Sequence, residues 1–125
     1  FEQELSGLVD ALLQRGRDIY IETNGTIPLP KWVSNVFITM SPKVGSEIPT
    51  DNWVMVDELK FVIQSKDDID RIWHLINTED IYENMPISLQ PESNRKECID
   101  LCLNELNQTD RFRLSIQLHK LLKLR

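Results

Sequence analysis

Cysteine is almost absent from this chain of 125 residues: only Cys98 and Cys102 occur. Two cysteines cannot build the disulfide framework of a small secreted domain. They lie four apart in a segment with helical spacing, a geometry that does not favour a bridge between them. No companion ligands stand at metal spacing around them, so they read as core thiols in a reducing cytosol. Basic residues are also short, with 14 Lys and Arg against 20 Asp and Glu and a net charge of -6. That balance argues against nucleic acid or an anionic membrane as the main partner, because both attract clustered cations. No apolar run is long enough to span a bilayer, and no signal-peptide pattern opens the chain. Internal repeats and low-complexity tracts are missing, and Trp32, Trp53 and Trp73 are too scattered for a base-stacking platform.

What is present suits one α/β domain over residues 1–125 with a modest core. The chain starts at Phe1 and enters an amphipathic segment at once, with Leu5, Leu8, Val9, Leu12 and Leu13 at helical spacing and Arg15-Gly16 as a stop. So abrupt a start leads us to expect a fragment of a longer protein. Period and punctuation predict a helix near 2–15 and a strand near 18–23. Gly25-Thr26-Ile27-Pro28-Leu29-Pro30 is a loop, since two prolines break any ladder. A strand near 35–40 stops at Ser41-Pro42, and 42–53 read as irregular. Further strands are expected over 57–63, 86–90 and 113–117, with helices from Ser65-Lys66-Asp67-Asp68 to about 77 and over 94–107. The second helix carries Ile99, Cys102, Leu103 and Leu106 on one side. Strands alternating with helices predict mainly parallel α/β layers.

Three polar signatures follow apolar strands. Ile19-Tyr20-Ile21 runs into Glu22-Thr23-Asn24-Gly25, Val36-Phe37-Ile38 leads to Ser41-Pro42-Lys43, and Ile87-Ser88-Leu89 leads to Gln90-Pro91. Parallel sheets bind ligands where strand C-termini meet the next loops. Each signature also has a plainer reading. Asn24-Gly25 is a strong turn signal; as a site, Glu22 would accept from ligand hydroxyls, Asn24 would donate, and Gly25 would allow close approach of backbone. Pro42 could merely stop a ladder and Lys43 be solvated, yet a hydroxyl beside an ammonium suits a carboxylate. Gln90-Pro91-Glu92-Ser93 could be a loop and cap, with Ser93 or Asn94 at the N-cap, or could offer an amide and backbone groups to a planar base. Glu58 and Lys60 share a strand face and are expected to pair. His74 reads as structural, and His119 alone reads as a packing or surface residue.

In collinear order, Glu22-Thr23-Asn24-Gly25-Thr26, Ser41-Pro42-Lys43, Asp57-Glu58-Leu59-Lys60-Phe61-Val62, Leu89-Gln90-Pro91 and the closing Arg113-to-Arg125 segment resemble 7-carboxy-7-deazaguanine synthase. That family comprises radical S-adenosyl-L-methionine (SAM) enzymes of queuosine and deazapurine biosynthesis. The resemblance covers nearly the whole chain, and its specificity lies in the series rather than in any one motif. It implies the C-terminal half of a partial (β/α) barrel. It also implies a lyase in which a [4Fe-4S] cluster held by three cysteines cleaves SAM, and 6-carboxytetrahydropterin is converted to 7-carboxy-7-deazaguanine by magnesium-assisted ring contraction with loss of ammonia. By this resemblance Ser41, Pro42 and Lys43 hold the methionyl end of SAM, and Gln90, Pro91, Glu92 and Ser93 flank its adenosine. Glu22 and Asn24 are further contacts on the cofactor. The main-chain carboxylate of Arg125 reaches the pterin substrate, with His119 nearby.

The family's Cys-x-x-x-Cys-x-x-Cys loop, magnesium ligand and Gly-Gly-Glu-Pro segment do not occur in these 125 residues. Cys98 and Cys102 cannot replace the cluster ligands, because position 105, where the motif needs its third cysteine, is Glu105 and the pair lies in a helical segment. The expectation is therefore a cytoplasmic portion of such an enzyme, inactive by itself, whose uncovered strand edge and apolar faces invite homodimerisation. Two rivals are another radical SAM enzyme, such as a glycyl-radical activase, and a non-catalytic binding or assembly module.

Overall fold

The computed structural model describes residues 4–117. The apolar runs become five strands among them: β1 (Tyr20–Thr23), β2 (Phe37–Met40), β3 (Glu58–Ile63), β4 (Ile87–Pro91) and β5 (Phe112–Leu114). They pair in chain order, and every pairing is parallel. The expected mainly parallel α/β architecture is therefore observed. A parallel sheet wound in one direction sends its right-handed crossovers to one face. That face carries Ile38, Met40, Leu59, Phe61, Ile63, Ile87, Leu89 and Phe112, all buried in the core. Against it lie α3 (Lys66–Thr78), through Ile69 and Ile72, and α4 (Lys96–Gln108), through Cys102.

Side chains of opposite parity point to the second face. There the register places Glu22 beside Thr39 and Glu58, Lys60 beside Ser88 and Arg113, and Val62 beside Gln90. One face is thus apolar and helix-covered, the other largely polar. Tyr20 and Phe37, with ring centroids 5.3 Å apart, form an aromatic corner on β1 and β2.

Several details depart from expectation. Lys60 does not pair with Glu58; its ammonium lies 2.5 Å from Glu22, while Glu58 accepts from the Ser88 hydroxyl at 2.8 Å. Glu58 is taken up by the Ser88 hydroxyl of the adjacent strand, and the long Lys60 side chain reaches across β2 to the exposed Glu22 instead. Helix α4 is capped by Arg95, not by Ser93 or Asn94, which take left-handed φ of 51° and 54°. Its buried stripe is Cys98, Cys102 and Glu105, whereas Leu103 is exposed. Glu105 tolerates burial because it accepts from Trp73 Nε1 at 3.4 Å and faces Lys66 Nζ at 3.6 Å. Helix α1 (Ser6–Gln14) buries only Val9 and leaves Leu8 exposed.

A short helix, α2 (Asn52–Met55), begins at the end of the segment read as irregular, and Asn52 explains its place. The buried Asn52 side chain accepts from Leu29 N at 3.0 Å and donates to the carbonyls of Gly25 and Ile27 at 2.9 and 3.0 Å. One side chain thereby satisfies three backbone groups of a proline-broken loop that has no ladder of its own.

Candidate functional site

Because all strands run the same way, the ends of β1, β2 and β4 emerge on one edge of the sheet. The signatures Glu22-Asn24, Ser41-Pro42-Lys43 and Gln90-Ser93 are therefore delivered to the same edge, with β3 between the second and third. Ser41 N donates to Thr23 O at 2.8 Å, which ties the β2 exit to the β1 exit. Gly25 has φ 78°, and its backbone passes so close to Met40 that a Cβ would lie 2.3 Å from Sδ.

A concavity lies at the ends of β2 and β3. It holds about 280 Å³ and is lined by Ser41, Pro42, Lys43, Gln64, Asp68 and Arg71, with Val44 and Val62 as apolar walls. Lys43 is exposed, and its ammonium has no partner among the described residues. Asp68 accepts from the backbone of Gln64 and Ser65 at 2.8 and 3.1 Å, which fixes the start of α3. Arg71 donates from one terminal nitrogen to Pro42 O at 3.2 Å, and its Cζ lies 5.6 Å from the centroid of the Phe61 ring. Its Nε is buried and has no partner among the described residues. Burial pushes the Arg71 guanidinium below its ordinary value, and the Asp68 carboxylate opposes that shift.

The loop after β4 is braced differently. Glu92 accepts from the Ser93 hydroxyl at 2.9 Å and pairs with Arg95 at 3.0 Å. Asn94 clasps the backbone of Gln117 through both amide atoms, linking the exits of β4 and β5. Gln90 and Pro91 are buried at the strand end. Asn24 spends its oxygen on Thr26 N and Oγ1, forming a turn brace, so the turn reading of this segment describes its local structure. Glu22 faces Lys60. His119 and Arg125 lie outside the described residues.

Gln64 and Arg71 were not legible as site residues in the sequence, and Asp68 marked only the start of a helix. An acidic and a basic residue three apart on a helix look like a solvated pair. Only the register, which sets the start of α3 beside the exit of β2, turns Arg71 toward Pro42. Among the described residues, no group of three or more His, Cys, Asp and Glu is placed to hold a metal ion. Nor is any described helix long and apolar enough to cross a membrane.

No family model matches the sequence. Individual proteins do match. The 7-carboxy-7-deazaguanine synthase of Bradyrhizobium diazoefficiens is 34% identical over 94% of this chain and 52% of its own length. That of Bacteroides thetaiotaomicron is 33% identical over 94% and 57%, and that of Escherichia coli 30% identical over 97% and 55%. The crystal structure of QueE from Escherichia coli superposes with a TM-score of 0.80 at 28% identity, covering 92% of this chain and 51% of that one. The chain is related to the 7-carboxy-7-deazaguanine synthases. It spans about half the length of the relatives it matches, and the parallel α/β sheet is shared with the solved QueE structure.

Proposed function

We propose that this chain is a portion of a 7-carboxy-7-deazaguanine synthase and supplies part of its SAM and substrate site. The observation that carries this reading is the cleft at the strand exits in which Ser41 and Lys43 stand together, with Arg71 in its wall. A hydroxyl and an ammonium that has no partner among the described residues form a donor pair matched to a carboxylate. At about 280 Å³ the cleft accommodates one end of a nucleoside–amino-acid conjugate, at the lower limit of small-molecule sites. Its chemistry selects the methionyl end. Gln90, Pro91, Glu92 and Ser93, two strands along, flank the adenosine, and Glu22 and Asn24 border the same edge.

The described residues do not fit the other cofactors of the reaction. Cys98 and Cys102 are fully buried, and burial, with Cys98 as a lesser cause, pushes the Cys102 thiol up to about 11. A cluster ligand must be a thiolate, so these two residues are unsuited to a [4Fe-4S] cluster. No step through the cluster or magnesium is assigned to them. In the proposed parent lyase, 6-carboxytetrahydropterin is the substrate, 7-carboxy-7-deazaguanine and ammonia are the products, and SAM would supply the radical chemistry. This chain's part is to bind and orient the cofactor. We further propose a homodimer. The relatives share one name, which favours this reading over a glycyl-radical activase or a non-catalytic module.

The test is binding by calorimetry in the intact protein, with S-adenosylhomocysteine as probe because it needs no reductant. Lys43→Ala should weaken it about 10–150-fold, the equivalent of one charge-assisted hydrogen bond. Unchanged affinity would remove Lys43 from the site.

A further inference from the structure

Arg71 lies one turn past Asp68 on α3 and takes no part in the three strand-end signatures. Yet it walls two concavities, the Lys43 cleft and a second of about 250 Å³ that includes Trp53 and Glu79. Pro42 stands between them, and the Arg71 guanidinium reaches its carbonyl at 3.2 Å from a seat on the Phe61 ring. The Ser41-Pro42-Lys43 turn has few other anchors. Ser41 N is held by Thr23 O, and Ser46 N by Lys43 O at 3.1 Å. Pro42 has no N–H to donate, so its carbonyl is its backbone's only hydrogen-bonding group.

We propose that Arg71 is the positioning residue of the Ser41–Lys43 turn: by holding the Pro42 carbonyl from the Phe61 ring, it sets the direction in which Lys43 meets an anionic ligand. The function of the turn rests on the reading above; its anchoring does not. A flat guanidinium suits the task because it can stack on a ring and donate in its own plane at once, which an ammonium cannot do. Desolvation of Arg71 is the cost of that seat, and the nearby Asp68 carboxylate partly offsets it.

Two readouts separate this role from the reading it builds on. The first is amide hydrogen exchange of the ligand-free intact protein. Arg71→Met should speed exchange at Ser41 and Ser46 by at least about fivefold, while β3 amides change less than about twofold. Arg71→Lys should recover only part of the protection. Unchanged exchange at both amides would overturn the proposal, whatever the ligand. The second is a double-mutant cycle on S-adenosylhomocysteine affinity with Arg71→Met and Lys43→Met. Each single change should weaken binding roughly tenfold, and the pair no more than either alone, because Arg71 acts through Lys43. Additive losses, or a loss for Lys43→Met but none for Arg71→Met, would overturn the positioning role. No loss for Lys43→Met would overturn the SAM reading and leave exchange to decide on Arg71. If Arg71→Met does not fold, Arg71→Lys carries both measurements: wild-type exchange and affinity in that variant would show that planarity is irrelevant and overturn the proposal.

Discussion

Lys60 on β3 reaches over Thr39 of β2 to Glu22 on β1, closing an ion pair at 2.5 Å across three strands. The two ends differ in exposure: the Lys60 side chain is 20% accessible and that of Glu22 68%. An ion pair with so exposed a partner contributes about 0.2–1 kcal/mol, since water screens it and two long side chains must be ordered. Its larger effect is to orient Glu22 at the strand exit. We expect Lys60→Met and Glu22→Gln in a urea double-mutant cycle to give a coupling below about 1 kcal/mol, which shrinks as salt is raised. A coupling above about 2 kcal/mol would make the pair a structural strut.

Asn52 should matter far more. Its side chain is buried, and the amide answers three backbone groups of the loop at residues 25–29. Removing it leaves those groups without partners in a dry site, which costs about 1–3 kcal/mol for each group that water cannot reach. Asn52→Ala should lower stability by about 2–4 kcal/mol, read as a fall in the urea midpoint at constant slope. A change under about 0.5 kcal/mol would show that water replaces the amide.

These two residues mark how far the sequence could be read. The alternation of Leu59, Phe61 and Ile63, and of Ile87 and Leu89, placed the strands, because apolar period two has one interpretation when helices follow. The same logic put three polar signatures at strand exits. Partners across the sheet were not legible. Nothing local distinguishes Glu22 from Glu58 as the counter-ion of Lys60, since that choice depends on strand order. Asn52 looked like loop chemistry, and its reach to a segment more than 20 residues away is a tertiary fact. Arg71 was hidden for the same reason. The Leu103 face of α4 was misjudged because Glu105, a residue type seldom buried, is held inside by Trp73 and Lys66.

Gly25 and Gly45 provide a matched comparison. Both have positive φ, 78° and 79°, so alanine carries a similar backbone penalty at each. At Gly45 the added methyl meets open space, whereas at Gly25 it would lie 2.3 Å from Met40 Sδ and 2.7 Å from its Cγ. Met40 is fully buried, so it cannot swing away without disturbing the core. Gly45→Ala should cost about 1 kcal/mol and Gly25→Ala about 1–3 kcal/mol more, measured by thermal or urea unfolding. Equal costs would mean that Met40 repacks freely.

Cys102 makes a prediction about alkaline pH. Burial is the first cause and Cys98 the second in raising its thiol from 9.0 to about 11. A thiol is neutral when protonated, so over this window the folded chain keeps a proton that the unfolded chain releases. More protons on the native state mean that stability falls as pH rises. The contribution is therefore flat below about 9 and is lost progressively toward 11, by on the order of 2 kcal/mol. Lysines and tyrosines titrate in the same range, so the informative quantity is a difference between proteins. Cys102→Ala should begin less stable at neutral pH because of the cavity it leaves. Its stability should then decline less steeply than wild type between pH 9 and 11, and the two curves should converge. Parallel curves would show that the Cys102 thiol ionises in the folded protein as easily as in the unfolded chain, and its exclusion as a thiolate ligand would have to be withdrawn.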